Sequence, residues 1–286
     1  MRGQENVEAY WFAGAIANTT AQIITHPIDL VRMLVQSNAK KVSSRDIVKE
    51  ILEKQGILGF TFSLRTATQR QIVYSIMRFG LYEMGRRAES SEHFYYKATV
   101  AAESGLAAGF FVTPFDKMNV RMCTDIIKSP DESRKYSSVF NGVISSYKKG
   151  GLSKVYRCAF ISSVRGMLMS VGQLAVYDEL REVFFKTERF KENWHSCFMA
   201  SLIAGGVTTI IITPVEVVKL IFMDASRYQY RSSLDVMRTL VQVHGYRGFY
   251  RGIFVSFLRI VPSTLLTYLL YEWICLEFNL GNCFSD

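Results

Sequence analysis

Proline is scarce in this sequence. There are five in 286 residues, with nineteen glycines, too few of either for a collagen-like or low-complexity chain. The five cysteines (Cys123, Cys158, Cys197, Cys275, Cys283) are odd in number, form no C-x-x-C pair and have no histidine at ligand spacing. A disulfide scaffold and a metal site are therefore not expected. No phosphate loop, nucleophile–base pair or metal cluster is legible, so the chain does not read as an enzyme and no cofactor is expected. Two stretches lack charge altogether: residues 9–28 and 196–215 contain no Asp, Glu, Lys or Arg. Each reaches the roughly 20 residues that span a bilayer, which a soluble helical fold does not readily explain. What is present is an apolar fraction of 49%, an aromatic fraction of 13% and a net charge of +9. The first two argue against disorder, and the last calls for an anionic partner. With two charge-free spans, that partner reads as a small acid or a lipid head group rather than nucleic acid.

Repetition organises the chain. "THPIDLVR" (25–32), "TPFDKMNVR" (113–121) and "TPVEVVKL" (213–220) each place Thr at or near a Pro and an acid two residues after it: Asp29, Asp116, Glu216. "YEMGR", "YDELR" and "YEWIC" start at Tyr82, Tyr177 and Tyr271, 95 and 94 residues apart. Arg70, Arg165 and Arg259 lie 12 residues before those tyrosines with the same two spacings. The period divides the chain into repeats at 1–90, 91–188 and 189–286 of one integral domain, with the extra length near "KSPDESRKY" (128–136). Each repeat reads as two long apolar segments around a polar stretch. The prolines should bend one helix per repeat. Three bent helices in a barrel of six would bring the acids and bases beyond each Pro around a pseudo-threefold axis. Asp29 with Arg32, and Glu216 with Lys219, stand three apart and share a helix face.

The Pro-x-acid-x-x-base pattern, three times along the chain, resembles the mitochondrial carrier family. "SVRGMLMSVGQLAVYDELR" (163–181), "RQIVYSIMRFGLYE" (70–83) and "RIVPSTLLTYLLYE" (259–272) are similar to its dicarboxylate, oxoglutarate and uncoupling-type subgroup. The resemblance implies an all-α membrane protein of six transmembrane helices in three pseudo-symmetric two-helix repeats, with short matrix helices. It implies a monomer in the inner membrane with both termini toward the intermembrane space. It also implies a central site that opens alternately to either side and exchanges dicarboxylates for phosphate or sulfur oxyanions. The expected matrix gate pairs Asp116 with Lys219, Glu216 with Arg32, and Asp29 with Asn119, where a base is missing. Gln36 matches the brace beneath one pair. The cytosolic gate would use Glu83, Arg86, Asp178, Arg181 and Glu272, with Cys275 where a sixth, basic member is expected. "YRG" (250–252) matches a motif that holds cardiolipin, and Tyr156-Arg157 keeps part of it.

At mid-membrane each arginine of the 70/165/259 set costs about 2.5–3.5 kcal/mol, which is usually tolerated for function or a paired charge. No acid lies one helical turn from any of them, so they read as three unpaired guanidinium groups, a site for a dianion. By resemblance the substrate contacts are Arg70, Arg165 with Gly166, and Arg259. Tyr74 and Arg78 lie one and two turns along the face of Arg70 as secondary contacts. Malate and succinate against phosphate are the expected exchanges. Oxoglutarate should fit less well, and citrate and ATP should be excluded. An uncoupling-type uniporter would instead need no counter-substrate. Glu103, inside a span, is expected to be paired or cavity-facing. Ser263 stands where related carriers usually have His.

Overall fold

The computed structural model describes residues 2–38, 43–88, 94–128, 138–148, 150–172, 194–225 and 229–277, and no strand occurs among them. The elements are α1 (Arg2–Ile24), α2 (His26–Ser37), α3 (Ser44–Gln55), α4 (Leu64–Ala88), α5 (Phe94–Thr124), α6 (Val139–Lys148), α7 (Gly151–Val155), α8 (Ala159–Ser170), α9 (Trp194–Asp224), α10 (Ser233–His244) and α11 (Ile253–Glu277). The long helices pack in a closed ring: α1 on α4, α4 on α5, α5 on α8, α8 on α9, α9 on α11, and α11 back on α1. Among the described residues, two stretches are long and apolar enough to cross a membrane, Gly205–Asp224 and Tyr246–Cys275.

Pro27, Pro114 and Pro214 each stand one or two residues after a threonine. Pro27 breaks the first helix into α1 and α2, whereas Pro114 and Pro214 lie inside α5 and α9. The hydroxyls of Thr25, Thr113 and Thr213 donate back to the carbonyls of Ala21, Gly109 and Thr209, at 2.9, 2.8 and 2.6 Å. Such back-bonding loosens the helical ladder beside a proline and favours a bend. Beyond the bends, α2, α5 and α9 bury Leu30, Leu34, Val120, Cys123, Val217 and Met223 in one apolar core with Ile47 and Ile51 of α3 and Val236 and Leu240 of α10. This core closes the ring at one end. Gly56, Gly151 and Gly245 turn the chain after α3, α6 and α10 with φ of 65° each, a region that favours glycine. They are 95 and 94 residues apart, the period of the arginines.

The wall between α5 and α8 depends on small residues. A Cβ on Gly105 would run into the Gly166 carbonyl, and one on Gly166 into the Gly105 carbonyl. A Cβ on Gly109 would lie 2.5 Å from the Ser162 carbonyl oxygen. These are backbone-to-backbone approaches, which cannot yield by rotating a side chain. Gly166 therefore faces α5 and does not line the central cavity. Its expected role as a substrate contact gives way to packing, because one residue along a helix turns the side-chain direction by roughly 100°. Glu103 is also corrected. It does not line the cavity but is exposed on the outer face of α5 with Leu106 and Phe110. Positions three and seven along share one helix face.

Adding a methyl at Gly105 or Gly166 is expected to push α5 from α8 and cost about 1–3 kcal/mol. Gly80→Ala, where nothing lies within 4 Å, should be neutral or stabilising. Thermal unfolding of the purified variants in detergent checks both.

Candidate functional site

A cavity of about 460 Å³ runs along the axis of the ring, lined by α1, α2, α4, α5, α8, α9 and α11. Among the described residues, six bases line it (Arg32, Arg70, Arg78, Arg165, Lys219, Arg259) against three acids (Asp29, Asp116, Glu216), a net charge of +3. Its base lies at the acids that follow the prolines. Here the structure brings Arg32 against Glu216 and Lys219 against Asp116 in direct ion pairs between repeats. Asn119 does not reach Asp29; its amide points to the Met33 sulfur at 3.7 Å. Asp29 is instead held by Arg32 of its own helix at 2.8 Å and by the Gln22 amide at 2.9 Å.

The three repeat arginines are not unpaired, as local spacing implies. Arg70 meets Asp116 at 3.3 Å, Arg165 meets Glu216 at 2.9 Å, and Arg259 meets Asp29 at 3.5 Å. Each arginine takes the acid of the next repeat in cyclic order. Their partners are remote in sequence, so a search within one helical turn cannot find them. The three side chains are 11, 12 and 14% exposed, so each keeps a similar small face to the cavity. Every one of the three acids thus serves two cations, one from the gate level and one from the cavity wall.

Tyr74 and Arg78 extend the wall of α4. Both are buried and line the cavity, with the Arg78 guanidinium 5.9 Å from the Tyr74 ring centre. The Tyr74 hydroxyl has no hydrogen-bond partner, so it is available to a bound group. Opposite stand hydroxyls of Thr208, Ser263, Thr264 and Thr267. The Gln36 amide donates to Ser256 Oγ at 3.2 Å and more weakly to the Arg251 carbonyl at 3.4 Å. Both partners lie on the third repeat, so Gln36 ties α2 to the start of α11.

Of the second gate, Asp178 and Arg181 lie outside the described residues. Glu83, Arg86 and Glu272 sit on α4 and α11, with their side chains also outside the described set. Cys275 is buried.

Two residues escaped the sequence reading. Gln71 accepts from Arg70 at 3.2 Å, and Gln22 stands between Arg259 and Asp29. The only signal for Gln22 was a second amide, after Asn18, five residues before Pro27 in an uncharged span.

Magnitudes separate this network from surface ion pairs. Removing one partner of a buried pair leaves the other charge uncompensated and costs about 3–5 kcal/mol, whereas exposed pairs contribute about 0–1 kcal/mol. Glu216→Gln leaves the buried Arg165 without its acid and Arg32 with Asp29 alone, so it is expected to destabilise by the larger amount. Glu50→Gln, which breaks the exposed Lys54–Glu50 pair, should change stability within the smaller one. Unfolding midpoints of the two variants decide this.

Residues 3–89, 90–188 and 190–279 each match the mitochondrial carrier protein family. The mitochondrial dicarboxylate carrier of Caenorhabditis elegans is 29% identical over 273 residues, covering 94% of this chain and 94% of the relative. The mitochondrial citrate transporter F of Aspergillus niger is 30% identical over 271 residues, covering 92% and 87%. The mitochondrial 2-oxoglutarate/malate carrier protein of Mus musculus is 26% identical over 274 residues, covering 91% and 87%. With three tandem matches over nearly the whole length and a helical ring built on the same threefold period, the chain belongs to the mitochondrial carrier family, whose members are transporters.

Proposed function

We propose that this chain is an antiporter of the mitochondrial inner membrane that exchanges malate or succinate for phosphate or a sulfur oxyanion by alternating access. The observation that carries this reading is the convergence of Arg70, Arg165 and Arg259, at matched exposure, on one cavity of net positive charge. Arginine forms planar, bidentate bonds with carboxylate and phosphate oxygens alike, so one site serves both anions. A four-carbon dianion engages two guanidinium groups at once and leaves the third, with the Tyr74 hydroxyl and Arg78, for a remaining oxygen. The relatives named for dicarboxylates and for oxoglutarate/malate support this substrate class.

The shared carboxylates supply the coupling. Asp29, Asp116 and Glu216 each hold an arginine of the cavity wall. A dianion that takes those arginines leaves the acids with fewer cations, and the gate pairs below loosen. Exchange of one carboxylate partner for another keeps the energy change small, which a carrier that must not lock requires. In this reading six transmembrane helices in three repeats (1–90, 91–188, 189–286) face both termini to the intermembrane space. The closed end with α3, α6 and α10 faces the matrix. The chain works as a monomer, and the loops at Tyr156-Arg157 and Tyr250-Arg251-Gly252 hold cardiolipin with part of the excess charge.

A second reading, a tricarboxylate exchanger, has one observation in its favour: the cavity's net charge of +3 also suits a trianion. The relative named as a citrate transporter points the same way.

Reconstituted protein loaded with phosphate is expected to take up labelled malate and succinate, and empty liposomes are not. Citrate uptake faster than malate uptake would favour the second reading. Uptake without internal anion would assign an uncoupling-type uniporter. Arg70→Ala, Arg165→Ala and Arg259→Ala should each abolish exchange with the protein still inserted, and Lys replacements should also be poor because Lys lacks the planar fork. Near-normal exchange by any Ala variant would remove that residue from the site. Asn119→Lys should give Asp29 a gate base and slow turnover; faster exchange would contradict the gate assignment.

A further inference from the structure

One joint of the network lacks its base. Asp116 has Lys219 and Glu216 has Arg32, but the residue that would serve Asp29 is Asn119, whose amide lies against Met33. At this joint alone a neutral side chain is inserted. Gln22 Nε2 donates to Asp29 Oδ2 at 2.9 Å, and Gln22 Oε1 accepts from Arg259 Nη1 at 3.4 Å. Gln22 is 6% exposed and lines the cavity. The matching positions, five residues before the other two prolines, are Gly109 and Thr209. Gly109 packs on the α8 backbone, and the Thr209 hydroxyl donates to the Gly205 carbonyl. The bridging amide thus occurs in the one repeat whose acid has no base from position 119.

The amide also changes how Arg259 is held. Arg165 bonds directly to Glu216 at 2.9 Å, whereas Arg259 reaches Asp29 at 3.5 Å with its Nε making no hydrogen bond. Arg259 is therefore the wall arginine with the weakest hold on its acid, oriented through a neutral bridge. An amide suits that place chemically, since it accepts from a guanidinium and donates to a carboxylate without adding charge.

We infer that Gln22 is a positioning residue that links the anion site to the gate: one amide orients Arg259 for the anion and holds Asp29 in the closed gate. This rests on the reading of the three arginines as the anion site. When an anion draws Arg259 toward the cavity, the pull passes through Gln22 to Asp29, so this joint opens first.

The test uses the full chain in liposomes loaded with phosphate, with labelled malate outside, together with thermal unfolding of the same preparations. A hydrogen bond to a charged group is lost in Gln22→Leu, so the malate KM should rise roughly tenfold with kcat kept within about twofold. Gln22→Glu keeps the side-chain volume and should also raise the KM, because a carboxylate there competes with malate for Arg259. Adding Asn119→Lys to Gln22→Leu should restore unfolding temperature without restoring the KM, separating gate support from arginine orientation. An unchanged KM in Gln22→Glu, or a KM restored together with stability in the double variant, would overturn the inference and leave Gln22 a packing residue. Absence of exchange by the wild type would overturn the anion-site reading and the role of Gln22 with it.

Discussion

Three carboxylates decide how this molecule is built. Asp29, Asp116 and Glu216 stand two residues past the prolines of α2, α5 and α9, and each is held by more than one cation. A buried carboxylate with no partner would be too costly to keep. The ring must therefore bring arginines from α4, α8 and α11 to the same level as the bases of α2 and α9. The glycine contact of α5 with α8 permits that approach, and the apolar core below seals what the ion pairs hold together. Among the described residues the bases of the cavity still outnumber its acids, and in the proposed reading that surplus is the physical basis for binding an anion.

The sharing of acids joins two functions that the sequence presents separately. Read along the chain, the arginines at 70, 165 and 259 look like a binding site and the acids after each proline look like a gate. In space they are one network, arranged cyclically so that each repeat's arginine meets the next repeat's acid. Such an arrangement lets a small ligand act on all three repeats at once without any long-range relay. A ligand shifts a conformational equilibrium only through its different affinity for the two states, and in the proposed reading competition for arginine is what would provide that difference.

The threefold period was legible because arginine, tyrosine and the proline-acid pairs are conspicuous residue types at fixed spacing. The same period in Gly56, Gly151 and Gly245 was not read, since isolated glycines in polar stretches carry no chemistry of their own. The pairing of Arg32 with Glu216 and Lys219 with Asp116 could be anticipated only through the family resemblance. The partners of Arg70, Arg165 and Arg259 could not be read from local spacing, because they come from other repeats. Gly166 was misread because adjacency in sequence to Arg165 does not mean adjacency in direction on a helix. Glu103 was expected to be paired or cavity-facing, yet its helical register with Leu106 and Phe110 puts it on the outer face. Gln22 shows the remaining limit: an amide in an apolar span announces a partner without saying which two groups it will bridge.

The most direct test of the shared network is the dissociation constant for malate of Asp116→Asn compared with the wild type, measured by titration of the purified proteins. If Asp116 and the anion compete for Arg70, neutralising the acid frees the arginine and malate binds more tightly, even though the gate is weakened. Equal or weaker binding would mean that the acids and the anion do not contend for the same guanidinium groups, and the coupling derived from that competition would be wrong.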